Sequence, residues 1–289
     1  MRRLEYIIPE DFDGERVQNF LRGGVHLSLR LLRSLKRVEN GIELNGEHVR
    51  TVDIIHKGDV LTLNIPQEEG AVAVSGIRLN VIYEDEDILI VNKPPMLPVH
   101  ESHNHQGDTL ANAVSAYLNE KGKSSVFRAI GRLDMGTSGL VVCALNQYCA
   151  SRLSGKIEKE YLAVATGEYT GCGTIDAPIY RPDPLKTTRC VDERGDRAVT
   201  HYESLKSGNG MSLLRIRLET GRTHQIRVHF ASQGTPLVGD YLYGKTTERF
   251  NHQLLHCHKV SFVHPVTKER IECIGDMPED MATFAEEQI

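Results

Sequence analysis

The chain has 289 residues, 40% hydrophobic and 25% charged, with six cysteines, no tryptophan and a formal net charge of −5. That length suits about two domains with a sizeable core, and the composition excludes a chain disordered throughout. No apolar run approaches the roughly 18 residues of a membrane span. Glu5 and Pro9 break any secretory leader behind Arg2 and Arg3, so a cytoplasmic protein without a membrane partner is expected. The negative total argues little against a polyanionic partner, because charge is regional. Residues 276–289 carry five acids and no Lys or Arg, whereas residues 14–50 carry seven basic residues against four acids.

Residues 1–66 read as a small separate module. Ser28 is suited to cap a helix running to about Glu39, with Gly41 just beyond it. On a helix, Leu31, Leu32, Leu35 and Val38 share one side, while Arg30, Arg33 and Arg37 share the other and Lys36 lies beside them. Asn45-Gly46 between residues 42–44 and 47–49 signals a two-residue hairpin. A strand over 60–65 follows the turn at 57–59. The arginine ridge is either a solvated face or a phosphate-binding surface.

Residues 67–76 lack periodicity and read as a linker. Beyond them, strands are expected over 81–83 and 88–91, joined by an acidic turn, and a helix over 110–118 opened by Asp108 or Thr109. Further strands are expected over 139–145, 160–165, 198–205, 211–219 and 254–263. Many strands with few helices predict an α+β domain over 77–275, on a mainly antiparallel mixed sheet. Residues 276–289 read as an acidic tail.

No C-x-x-C pair occurs, so reduced thiols are expected. His252, His256 and His258 fall on a strand and His100, His103 and His105 on a loop, and neither group has a matching set of metal ligands. Neither a G-x-G-x-x-G turn nor a phosphate-binding loop is present, so no nucleotide cofactor is indicated.

Two segments concentrate chemistry. Residues 131–140, Gly-Arg-Leu-Asp-Met-Gly-Thr-Ser-Gly-Leu, set Arg132 and Asp134 on a glycine-rich loop between apolar strands. Residues 220–229 crowd Thr, Arg, His and Gln together. An Asp in one loop and an Arg in the other could form a buried ion pair, either structural or functional.

The first segment, Arg132-Leu133-Asp134 followed by Thr137-Ser138-Gly139-Leu140, closely resembles the catalytic motif of the RluA family of pseudouridine synthases. Residues 221–229 with Gly239-Asp240 and Tyr243-Gly244 are similar to that family's C-terminal motif, and residues 92–100 to its first. Residues 159–163 resemble the segment that carries its active-site tyrosine, and His256 with Phe262, His264 and Pro265 its last strand. The order of elements in residues 1–66 resembles a small α/β RNA-binding module of S4 type. Two departures stand out: Gly131 where the family usually has His, and Glu101 where it usually has Pro.

The resemblance implies an isomerase that converts uridine to pseudouridine in RNA after flipping the base out, without cofactor or metal. It implies Asp134 as the reacting carboxylate, Arg222 as its partner and Tyr161 against the uracil. It also places Arg132 in the vacated RNA stack, with Thr137 and Ile226 at the substrate and Arg30, Arg33, Lys36 and Arg37 on RNA. A monomer acting on large-subunit rRNA is expected, with tRNA the alternative. Two other classes compete: a non-catalytic ribosome-assembly factor, and a hydrolytic nucleosidase that would release free uracil.

Overall fold

The computed structural model describes residues 1–66, 75–123, 126–245 and 249–289. The expected linker over 67–76 lies almost wholly outside the described residues. The N-terminal part runs β1 (Arg2–Ile7), α1 (Val17–Asn19), α2 (Leu29–Leu35), β2 (Ile42–Leu44), β3 (Glu47–His48) and β4 (Val60–Ile65). Its four strands form an antiparallel sheet in the order β1-β4-β2-β3.

Local chemistry accounts for most of this. The Ser28 side chain accepts a hydrogen bond from the Leu31 amide and starts α2. The helix ends sooner than its sequence pattern suggests, passing into a turn at Lys36. Asn45 and Gly46 both adopt positive φ, the pair of left-handed residues that a tight β2–β3 turn requires. Leu31 and Leu35 of α2 join Leu61, Leu63 and Ile65 of β4 in the core, each at most 1% exposed. The opposite face of α2 leaves Arg30, Arg33, Lys36 and Arg37 exposed.

The larger part begins with β5 (Val81–Glu84), β6 (Ile88–Lys93) and α3 (Leu110–Glu120), capped by Thr109. Next come β7 (Ser138–Ala144), α4 (Gln147–Leu153), β8 (Glu158–Thr166) and β9 (Cys172–Asp176). A short hairpin of β10 (Ile179–Tyr180) and β11 (Cys190–Val191) precedes β12 (Val199–Gly208) and β13 (Met211–Leu218). The chain finishes with α5 (Gln225–Ser232), β14 (Leu255–Val263), β15 (Arg270–Ile274) and α6 (Glu279–Gln288). Nine of these strands form one sheet, ordered β5-β6-β7-β14-β8-β13-β12-β9 with β15 on β14. The β7–β14 pair is parallel and the other pairings are antiparallel, which makes the sheet mixed and the fold α+β.

Two elements depart from expectation. Residues 225–232 form a helix where a loop was expected. Gln225 through Phe230 are all buried, so no polar stripe marks the helical period. The acidic stretch expected as a tail is the helix α6. Met281, Phe284 and Ala285 are buried on its inner side, in a cluster with Leu162, Val164 and Phe250. Glu279 and Asp280 sit in its first turn, where negative charge complements the helix dipole.

Both parts of the chain meet at Asp87. This carboxylate is 2% exposed and accepts two hydrogen bonds from the Arg2 guanidinium, each at 2.9 Å, and one from Asn146 at 2.7 Å. Replacing Arg2 with Met leaves a buried charge short of its main partner. A loss of about 1–3 kcal/mol in urea unfolding is expected, and wild-type stability in that variant would show the contact to be incidental.

Candidate active site

The loop from Gly131 to Thr137 leads into β7, and several contacts fix it from below. Lys93, at 1% exposure, donates from Nζ to the carbonyls of Met135 and Pro94, both at 3.0 Å. Gln253 donates to the Thr137 hydroxyl at 2.9 Å, and the Thr137 amide returns to the Asp134 carbonyl at 3.1 Å. Gly139 has φ of +110°, and a Cβ there would stand 2.4 Å from the Cys257 carbonyl oxygen. Only glycine lets β7 approach β14 this closely.

Helix α5 faces this loop and supplies the ion pair. Arg227, 3% exposed, donates from Nη1 to Asp134 Oδ2 at 3.0 Å. Its Nε and Nη2 clamp both oxygens of the fully buried Asp240 at 2.7 and 2.8 Å. Burial opposes the guanidinium's charge, but Asp240 and then Asp134 outweigh it, so its pKa is raised. Asp240 also accepts the backbone amides of Leu242 and Tyr243. His224, held by the Tyr243 hydroxyl at 2.8 Å, stands with Nε2 3.9 Å from Asp134.

The expected partner, Arg222, does not pair with Asp134. It precedes α5, is exposed, donates to the Arg197 carbonyl at 3.1 Å and lies 3.5 Å from Asp196. The helix turns Arg227 inward and leaves Arg222 at the rim. Arg227, Asp240, His224 and Lys93 were within the quoted motifs, but spacing alone did not distinguish them from their neighbours.

A cavity of about 100 Å³ brings Arg132, Asp134, Thr137, Tyr161, Arg222 and Ile226 together. Leu133, Leu218 and Leu255 add apolar wall. Tyr161 comes from β8, where it is 7% exposed and pairs across to Cys257 and Ile216. Burial raises its phenol pKa well above the ordinary value, with Cys257 and Asp134 adding in the same direction. The phenol is therefore neutral at pH 7. Arg132 is exposed and donates to the Thr223 hydroxyl at 3.2 Å. Arg30, Arg33, Lys36 and Arg37 lie outside this cavity, on α2 and the turn after it.

The histidines weighed as metal ligands have other partners. His256 meets the Ser138 hydroxyl and the Gly275 carbonyl, His258 meets that carbonyl too, and His252 pairs with Asp280. Among the described residues, Asp85, Asp87 and His264 also bring ligand atoms within 4.8 Å of one another. There, however, Asp87 is taken by Arg2 and Asn146, and Asp85 by the Tyr83 hydroxyl and two backbone amides. The main site is thus a carboxylate fixed by a buried guanidinium beside a neutral phenol, in a small cavity with apolar walls.

Known proteins resemble this chain over most of its length. Residues 87–232 match the family model described as RNA pseudouridylate synthase. The chain is 35% identical to an uncharacterised RNA pseudouridine synthase of Bacillus subtilis, YjbO, over 90% of this chain and 95% of that one. It is 33% identical to ribosomal large subunit pseudouridine synthase D of Pseudomonas aeruginosa, covering 94% of this chain and 92% of the relative. Among solved structures, human RNA pseudouridylate synthase domain containing 1 aligns with a TM-score of 0.58 at 28% identity, over 73% of this chain and 86% of that one.

Burial pushes the Lys93 pKa down to about 7, with the Asp134 charge opposing the shift. Between that value and the ordinary lysine value of about 10.4, the unfolded chain binds a proton the folded chain releases. Lys93 therefore adds stability as pH rises from 7 to 10. Urea unfolding at pH 7 and 9 is expected to show this rise in the wild type and a smaller one in Lys93→Met; equal slopes would contradict it.

Proposed function

The chain belongs to the RNA pseudouridine synthase family, and from that premise we propose that it isomerises uridines of structured large-subunit rRNA, with Asp134 as the reacting carboxylate. The observation that carries this assignment is the contact between Asp134 and the buried Arg227, beside Tyr161 in one cavity. The relatives named for the ribosomal large subunit favour rRNA over tRNA.

The reaction breaks the N1–C1′ bond of uridine, turns the uracil and joins C5 to C1′, after which the C5 proton moves to N1. Nothing is added or lost. Asp134 initiates it, either by attack at C1′ or by removing a ribose proton. Arg227 holds and aims the carboxylate, a task for which its planar donor fork is suited. Tyr161, being neutral, can pack on the uracil face and help move the C5 proton. Ile226 and Thr137 complete the pocket. Arg132, exposed at the rim, fills the stack that the flipped uridine leaves.

The N-terminal sheet with α1 and α2 acts in this reading as an S4-like RNA grip. Arg30, Arg33, Lys36 and Arg37 are exposed, and no described acid pairs with them. Burial, and then the like charge of Arg30, lower the pKa of Arg128. Arg128, on the larger part of the protein, therefore lies within electrostatic range of Arg30.

Asp134→Asn is expected to abolish pseudouridine formation in an rRNA transcript while keeping RNA binding; substantial turnover in that variant would sink the assignment. Arg227→Lys, which keeps the charge but loses the fork, is expected to lower kcat about 100-fold or more, and Arg222→Gln less than about tenfold. Equal losses would leave Arg227 without a special role, and melting curves check that each variant folds. Neutralising Arg30, Arg33 and Arg37 together is expected to weaken RNA binding and flatten its log–log salt dependence by about 2 to 3. An unchanged slope would make the ridge an ordinary solvated face.

A further inference from the structure

The uridine cavity opens into a much larger groove of about 950 Å³, and both are lined by Arg132, Tyr161, Leu218 and Gly221. Three of the six cations lining this groove are already neutralised. Arg217 pairs with Glu160 at 2.7 Å, Arg270 with Glu158 at 2.8 Å and Lys259 with Glu272 at 2.7 Å. Lys159 has no acidic partner among the described residues, although it is half-buried. An RNA phosphate can supply the counter-charge that this ammonium lacks.

Its position is well defined. Lys159 and Tyr161 are two apart on β8, so they share a face of the strand, about 7 Å from each other along it. Gly131 explains how the amine reaches the cavity mouth. A Cβ at Gly131 would stand 3.1 Å from Lys159 Nζ, and φ there is +83°. The missing side chain at 131 leaves room for the ammonium directly beside the backbone of the loop that carries Arg132 and Asp134. Among the described residues, Arg132 likewise has no carboxylate partner, and it donates to the Thr223 hydroxyl. Two uncompensated cations thus stand at the junction of groove and cavity.

We propose that Lys159 is a substrate-binding residue, which takes the backbone phosphate flanking the flipped uridine as the RNA strand leaves along this groove. This rests on the reading of the chain as an enzyme that flips uridine out of RNA. It also gives the glycine at 131 a purpose.

The test separates the two readings. Binding of a short single-stranded oligouridylate is followed by fluorescence anisotropy over a range of KCl concentrations for wild type, Lys159→Gln and Lys159→Arg. Lys159→Gln is expected to bind about 3- to 10-fold more weakly and to flatten the salt slope by about 0.7, the share of one single-strand phosphate. Lys159→Arg is expected to keep both. On an rRNA transcript, Lys159→Gln is expected to raise KM and to leave kcat within about twofold, as loss of uniform binding requires. Wild-type affinity and slope in Lys159→Gln, or a loss confined to kcat, would overturn the proposal. A wild-type protein that forms no pseudouridine in the transcript would instead overturn the rRNA reading, while the oligouridylate titration still decides the role of Lys159.

Discussion

The constraint on which the site depends is the placement of one guanidinium, that of Arg227, between two carboxylates. Taking a cation out of water is expensive, and a lone arginine at 3% exposure would destabilise the fold. Asp240 removes most of that cost by a bidentate clamp and is itself held by two backbone amides. The remaining amino group is then free to meet Asp134, without either side chain searching for the other. Asp240 is fully buried behind the guanidinium, whereas Asp134 lies on the partly open side. The asymmetry in burial divides the labour.

Bringing those three residues together needs strands that are remote in sequence. The central order β7-β14-β8 sets the Asp134 loop, the strand carrying Cys257 and the strand carrying Tyr161 side by side. Gly139 permits the close parallel contact of the first two, and Lys93 ties the loop to the end of β6 through two backbone carbonyls. The pocket floor is therefore sheet and its opposing wall is α5. Each reacting group has a rigid element behind it, which is what precise aim requires.

Much of this was legible in the sequence, for physical reasons that can be stated. Strands such as β13 alternate buried and partly exposed residues, and the Asn45-Gly46 turn and the Thr109 cap rest on local backbone chemistry that few residue types satisfy. Helix α5 was illegible because six consecutive buried positions leave no polar face to mark a helical period. Without that helix, nothing ranked Arg227 above Arg222; both lie in the same motif, and only the turn of the helix sends one inward. In α6 the spacing of Met281, Phe284 and Ala285 was visible, but five acids in fourteen residues drew the reading towards a solvated tail. The strand β1 gave little signal, since its charged residues conceal an inward Leu4 and an Arg2 whose partner, Asp87, is 85 positions away.

The net charge of −5 is reconciled with an RNA substrate by where the acids go. Many are spent inside the protein's own ion pairs: Glu160 holds Arg217, Glu158 holds Arg270, Glu272 holds Lys259, and Glu84 binds both Lys121 and Lys123. Others cluster on α6, where Asp280 and Glu287 meet His252 and Arg249. Among the described residues, cations left without acidic partners include Arg30, Arg33 and Arg37 on α2 and the turn after it, and Arg132 and Lys159 at the mouth of the pocket. Coulomb attraction to a phosphate decays within about a Debye length, near 8 Å at physiological salt. A phosphate at the pocket therefore responds to the charges beside it rather than to the total.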